Sequence, residues 1–293
     1  MSRSGALFRQ IFVDQEGAHE RLALARLTTG AAILRTIWKL PPGEALERYR
    51  FDGAPSGRSR PMLDARQYEA LRGVAFISVA AWTLGCEQAG VRFAANAAFA
   101  ALQRHVAHFD QRAWNYNSNL NLALLMLSVT DTRGSLADPD RAPSPETASA
   151  MMAALQLYYA WVYLQSGVAK LRVGGLGWLD GRTLHGSWAE LGTRLGRRLA
   201  RTDRRLAVSA SALSLLFELL FPVALLCAWR HREWLGAVSL TFHAAVKATL
   251  DISFWHHASY AVPLFLLPAR TEHAVSAALR FSPLLTRRCH NVR

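Results

Sequence analysis

Apolar positions along this chain fall into long runs separated by short polar or basic turns. Residues 147–169, TASAMMAALQLYYAWVYLQSGVA, form the clearest run, with 23 residues and no charge. A helix of that length can cross a hydrocarbon core of about 30 Å. Residues 206–229 form a second run whose one charge, Glu218, lies near its middle. After the basic turn Arg230, His231 and Arg232, residues 234–250 form a third. A fourth, ISFWHHASYAVPLFLLP, covers residues 252–268. Earlier segments are weaker. Residues 73–86 are uncharged but short, and 91–102 would complete a hairpin with them. Residues 113–130 open with the polar WNYNSNLN. Residues 21–40 contain Arg26 and Arg35, which suits a tilted or interfacial helix. The pattern predicts an all-α fold: a polytopic integral membrane bundle of about five to seven transmembrane helices, in one domain over residues 1–293. A soluble helical protein is the alternative. Two runs above 20 residues with at most one charge argue against it.

Three segments interrupt the runs. Residues 40–66 are rich in Pro, Gly, Ser and Arg and read as irregular. Residues 131–146, DTRGSLADPDRAPSPE, read as a polar loop. Residues 172–205 are more structured, with GGLGW followed by the basic amphipathic ELGTRLGRRLARTDRR. Basic loops favour the cytoplasmic side of a membrane. The next turn, on the opposite face, also holds two arginines, so the charge pattern leaves orientation open.

Composition narrows the partners. The 293 residues carry a formal net charge of +13, mostly from arginine, and 51% are hydrophobic. Such a charge suits nucleic acid or an anionic membrane surface. No zinc finger, RNP-like motif or single basic stripe is present, which excludes nucleic acid and leaves the lipid bilayer as partner. Nine Trp and seven Tyr suit interfacial belts. The three cysteines, Cys86, Cys227 and Cys289, are far apart, with neither disulfide nor metal-ligand spacing. The first 20 residues hold no apolar leader segment, so internal helices are expected to direct insertion.

Charged groups inside a bilayer cost about 2.5 to 3.5 kcal/mol on insertion scales, so they usually face a cavity or a partner. The candidates are Lys170, Glu218, His243, Lys247, Asp251, His256 and His257. Lys247 and Asp251 are four apart and would pair on a helix, with His243 on the same face. Glu218 would pair with a base on another helix or carry a proton. The adjacent His256 and His257 point about 100° apart on a helix, which suits an interfacial position near Trp255 and Tyr260 better than joint metal binding. No cluster has metal spacing, and no GxSxG, P-loop or GxGxxG motif is present. Lys170 ends an apolar run, where a lysine either snorkels to the interface or faces a cavity.

Five segments fall in a recognisable order: WNYNSNL at 114–120, YLQSGVAKL at 163–171, WLDG at 178–181, ELLFP at 218–222, and TFH followed by LDISFW within 241–255. Together they resemble the transmembrane region shared by vitamin K-dependent γ-glutamyl carboxylase and the horizontally transferred transmembrane (HTTM) family of bacteria, over residues 114–255. The resemblance implies a bacterial cytoplasmic membrane protein. It also implies reduced vitamin K or another hydroquinone as cofactor, with no metal. In the carboxylase, a lysine deprotonates the hydroquinone, oxygen adds, and the product is a base strong enough to abstract a glutamate γ-proton. Lys170 occupies the matching position, and only a neutral amine can act as that base. By the same resemblance His243 joins Lys170 in the catalytic set. Trp114, Asn115, Asn117 and Trp178 would contact quinone or substrate, and Glu218 would be a partner within the bundle. One departure is chemical: Asn117 stands where the carboxylase has histidine, and an amide cannot shuttle a proton at neutral pH. Another is the absence of a match to the carboxylase's lumenal β-rich domain, so the substrate would be a small molecule or short peptide. Two other readings stay open. One is a non-redox protein for maturation or export of, or immunity to, a secreted peptide. The other is a structural subunit for a redox partner.

Overall fold

The computed structural model describes residues 3–51, 63–86, 88–107, 109, 111–132, 143–227 and 229–266. Every regular element among them is helical, and no strand is present among the described residues. The fold is therefore all-α. The chain divides into two compact units. One holds residues 12–151 among those described, and the other holds 3–11 and 152–266.

The first unit contains α2 (Ala18–Trp38), α3 (Gly43–Phe51), α4 (Ala65–Thr83), α5 (Ala89–Val106) and α6 (Gln111–Ser128). The helix over Arg3–Phe12, α1, precedes them. Asp64 starts α4 with a capping box: it accepts from the Gln67 backbone N–H at 2.7 Å, and the Gln67 side chain accepts from the Asp64 N–H at 3.2 Å. This cap extends the helix well before the uncharged 73–86 run and draws Arg66, Glu69 and Arg72 into it. α4 and α5 pack as a hairpin, and α2 packs on α4 and α6. Gly30 sits so close to Thr83 that a Cβ there would overlap the threonine side chain. Arg26 is buried instead of interfacial, and its guanidinium donates to Thr132 Oγ1 at 3.1 Å. Residues 40–66, expected to be irregular, include α3, with 52–62 outside the described residues.

In the second unit lie most of α7 (Pro145–Gly174), a 3₁₀ segment (Gly175–Asp180), α8 (Arg182–Glu190), α9 (Arg194–Leu199), α10 (Arg205–Cys227), α11 (Arg232–Leu250) and the short α12 (Trp255–Ala258). α10 is the one helix among the described residues that is long and apolar enough to cross a membrane. The 147–169 run lies within α7, but Gln156, Gln165, three tyrosines and two serines weaken its apolar character. The fourth run does not form one continuous helix. Asp251, at φ 59°, ends α11 in the left-handed region. After α12, a π-helical turn over Val262–Leu266 contains Pro263, which lacks a backbone donor.

Candidate functional site

The site is built on the inner face of α7. Tyr159, Tyr163, Gly167 and Lys170 recur every three or four residues, so they stack on one stripe of that helix. Gly167 brings α10 close: a Cβ there would meet Leu219 Cδ2 at 2.9 Å and Glu218 Cβ at 3.2 Å. One turn later, Lys170 Nζ donates to Glu218 Oε1 as an ion pair. The Trp178 ring covers the ammonium, with its centroid 5.4 Å from Nζ. Ser166 also faces the carboxylate. The 3₁₀ segment that delivers Trp178 ends at Gly181, whose φ of 74° and close approach to Val208 N demand glycine.

These contacts set where Lys170 lies along α10. Glu218 is the fourteenth residue of the 23 in α10, so it lies about 20 Å from that helix's start at 1.5 Å per residue. The end of α7 therefore faces the middle of α10. The 3₁₀ segment and α8 then run back along α10, and Gly181 reaches Ala207 and Val208. Lys170 lies one turn before the end of its own helix and meets α10 near that helix's middle. Its side chain is 20% exposed and that of Glu218 is 5% exposed. Pro222, one turn after Glu218, has no N–H, so the Glu218 carbonyl loses its α-helical donor at the level of the pair.

A second polar group adjoins the stripe. Ser239 Oγ lies 2.5 Å from the Tyr159 hydroxyl and 2.6 Å from the Tyr163 hydroxyl, and Tyr163 lies 2.6 Å from His243 Nε2. His257 stacks on Tyr159 with centroids 3.9 Å apart, and its Nδ1 meets the Tyr260 hydroxyl at 3.2 Å. Phe217 and Phe221 close over Tyr163. His257 is thus buried, at 4% exposure, in place of the interfacial position expected for the His256–His257 pair.

Four buried polar atoms here make no hydrogen bond within 3.5 Å among the described residues: Glu218 Oε2, Trp178 Nε1, His243 Nδ1 and His257 Nε2. Trp178 Nε1 is a donor and Glu218 Oε2 an acceptor, and both residues adjoin the Lys170 ammonium.

The structure brings Lys170, Glu218 and Trp178 together and gives His243 a tyrosine partner. Lys247 pairs with Asp251 at the exposed C-terminal end of α11, and His243, four residues earlier, is buried. Trp114, Asn115 and Asn117 belong to α6 in the other unit, and their side chains lie outside the described residues. Sequence reasoning missed Tyr159, Tyr163 and Ser239. The signal was present: Tyr159 and Tyr163 are four apart on one helix, as are Ser239 and His243 on another.

Comparison with known proteins finds no matching family model, no matching curated protein and no matching solved structure.

Proposed function

We propose that this chain is a polytopic protein of the bacterial cytoplasmic membrane, and that it is a hydroquinone-using enzyme related to the HTTM and γ-glutamyl carboxylase group. The observation that carries the reading is the position of Lys170: paired with Glu218, under Trp178, opposite the middle of α10, the one helix among the described residues long and apolar enough to cross a membrane. Charges at such a depth are expensive and usually serve function.

Lys170 as an ammonium held by a carboxylate is a proton donor. It becomes a base when its proton passes to Glu218, leaving an amine beside a carboxylic acid. Lys170 Nζ then accepts a proton from a ligand hydroxyl, and the ammonium re-forms. Trp178 Nε1–H and Glu218 Oε2 orient the ligand, and Phe217 and Phe221 limit water near Tyr163. A bound hydroquinone supplies the electrons that reduce oxygen. His243, fixed through Nε2 by Tyr163, presents Nδ1 to a second polar group. The substrate class is a small molecule or short peptide.

The test is epoxide formation. Purified protein is given reduced vitamin K and oxygen, and epoxide is quantified by mass spectrometry for wild type and Lys170→Met, with folding of both checked. Epoxide from wild type alone supports Lys170 as the base. Epoxide from both removes Lys170 from the chemistry, and epoxide from neither removes this hydroquinone reaction.

A further inference from the structure

Residues 194–205, RLGRRLARTDRR, carry six arginines against one acid, Asp203. All six, Arg194, Arg197, Arg198, Arg201, Arg204 and Arg205, are exposed. A run of like charge on an ordinary loop would move to spread its charge, but this one is held. Thr193 caps α9 by accepting from the Gly196 N–H at 3.2 Å. The same threonine ties α9 to the end of α11: its hydroxyl donates to the Ala248 carbonyl at 2.6 Å and its N–H to the Thr249 carbonyl at 2.9 Å. Gly196 is buried against the Thr249 carbonyl, where any Cβ would overlap it. Arg197 closes the turn by donating to the Gly192 carbonyl at 2.6 Å.

The place where it is held matters. Arg205 begins α10, the helix apolar enough to span, and Thr249 is one residue from the end of α11. The strip therefore sits at the shared end of two helices, where an inserted α10 would leave the hydrocarbon. Leu191, Leu195 and Leu206 are exposed among the arginines, at 69%, 46% and 45%. Arginine heads with exposed leucines between them match a surface lying at the headgroup and acyl boundary.

We propose that this strip binds the phosphate groups of anionic phospholipids and fixes which way α10 crosses the membrane. Guanidinium forks bind phosphate oxygens in pairs, and the attraction adds to that of the anionic leaflet. The strip marks the cytoplasmic end of α10. The competing basic turn at the other end is weaker, because Arg232 donates to the Trp229 carbonyl at 3.2 Å and lies over the Trp229 ring.

The proposal rests on the membrane reading above, and its test separates the two. The full chain is reconstituted in nanodiscs of phosphatidylcholine with phosphatidylglycerol, released into detergent, and its retained lipids are counted by native mass spectrometry. Failure to enter the discs overturns the membrane reading and this proposal together. For wild type in discs, phosphatidylglycerol should be retained in excess of its share. The triple variant Arg194→Gln, Arg198→Gln, Arg201→Gln spares the Arg197 contact and should lower that retention by roughly fivefold or more, the order expected for lost basic residues at an anionic surface. Arg48→Gln, Arg66→Gln, Arg104→Gln removes equal charge elsewhere and should leave it unchanged. Equal retention in wild type and the first triple variant, or equal loss in both triple variants, overturns the proposal.

Discussion

If Lys170 and Glu218 form one desolvated unit, removing both should cost clearly less than the sum of the two single losses. Lys170→Met leaves the Glu218 carboxylate, 5% exposed, without its cation and with Ser166 as a polar neighbour. Breaking a buried pair from one side typically costs about 3 to 5 kcal/mol. The lysine keeps 20% exposure, which lets some solvent reach the pair, so about 2 to 4 kcal/mol is the expected loss here. Glu218→Gln leaves the ammonium unpaired and should lose a similar or smaller amount, because the amide can still accept one hydrogen bond. The double variant removes both charges, and its loss should fall short of the sum of the two single losses by about 2 kcal/mol or more. Reversible unfolding in mixed micelles, followed by tryptophan fluorescence, measures all four proteins. If each single variant loses less than about 0.5 kcal/mol and the losses add, the pair behaves as an exposed one, and the burial argument for Lys170 is refuted.

Other outcomes follow from the same contacts. Ser239→Ala removes the hydroxyl shared by Tyr159 and Tyr163 and should cost about 1 to 3 kcal/mol in the same unfolding assay, whereas Thr241→Ala, at an exposed position on α11, should cost under about 1 kcal/mol. Gly167→Val places a side chain against Leu219 and Glu218, so it should destabilise by about 1 to 3 kcal/mol and reduce the coupling between Lys170 and Glu218. Lys247→Ala breaks a pair with 53% and 72% side-chain exposure and should change stability by less than about 1 kcal/mol, with normal folded yield.

The sequence was most legible where one rule acts alone. α10 follows from apolar length, and the end of α11 beside Asp251 is local. The run over 252–268 does not form one helix because apolar composition reads through the turn after Ala258 and through Pro263, while backbone geometry does not. The charge of Arg26 leaves a tilted and an interfacial helix both open in the sequence, because its partner is not visible there; Thr132 lies 106 residues away. The Lys170–Glu218 pair had the same difficulty. Both residues stood out in the sequence, but their meeting depends on Gly167 admitting α10 and on α7 ending opposite that helix's middle. Trp255 beside His257 is a local cue for an interface, and stacking on Tyr159 overrides it.

A membrane role for Lys170 requires the pair to lie deep in the hydrocarbon, which can be measured without knowing the substrate. A spin label is placed singly at Leu206, Leu213, Leu220 or Leu226, the exposed face of α10, in a background with native cysteines replaced, and the protein is reconstituted in bilayers. Power saturation then compares collisions with oxygen, which concentrates in the hydrocarbon, and with a water-soluble nickel chelate. The expected result is the highest oxygen-to-nickel ratio at 213 and 220, which flank the level of Glu218, falling towards 206 and 226. High nickel accessibility at all four positions would contradict the account, because Lys170 and Glu218 would then lie in water-exposed surroundings and need no membrane chemistry to explain them.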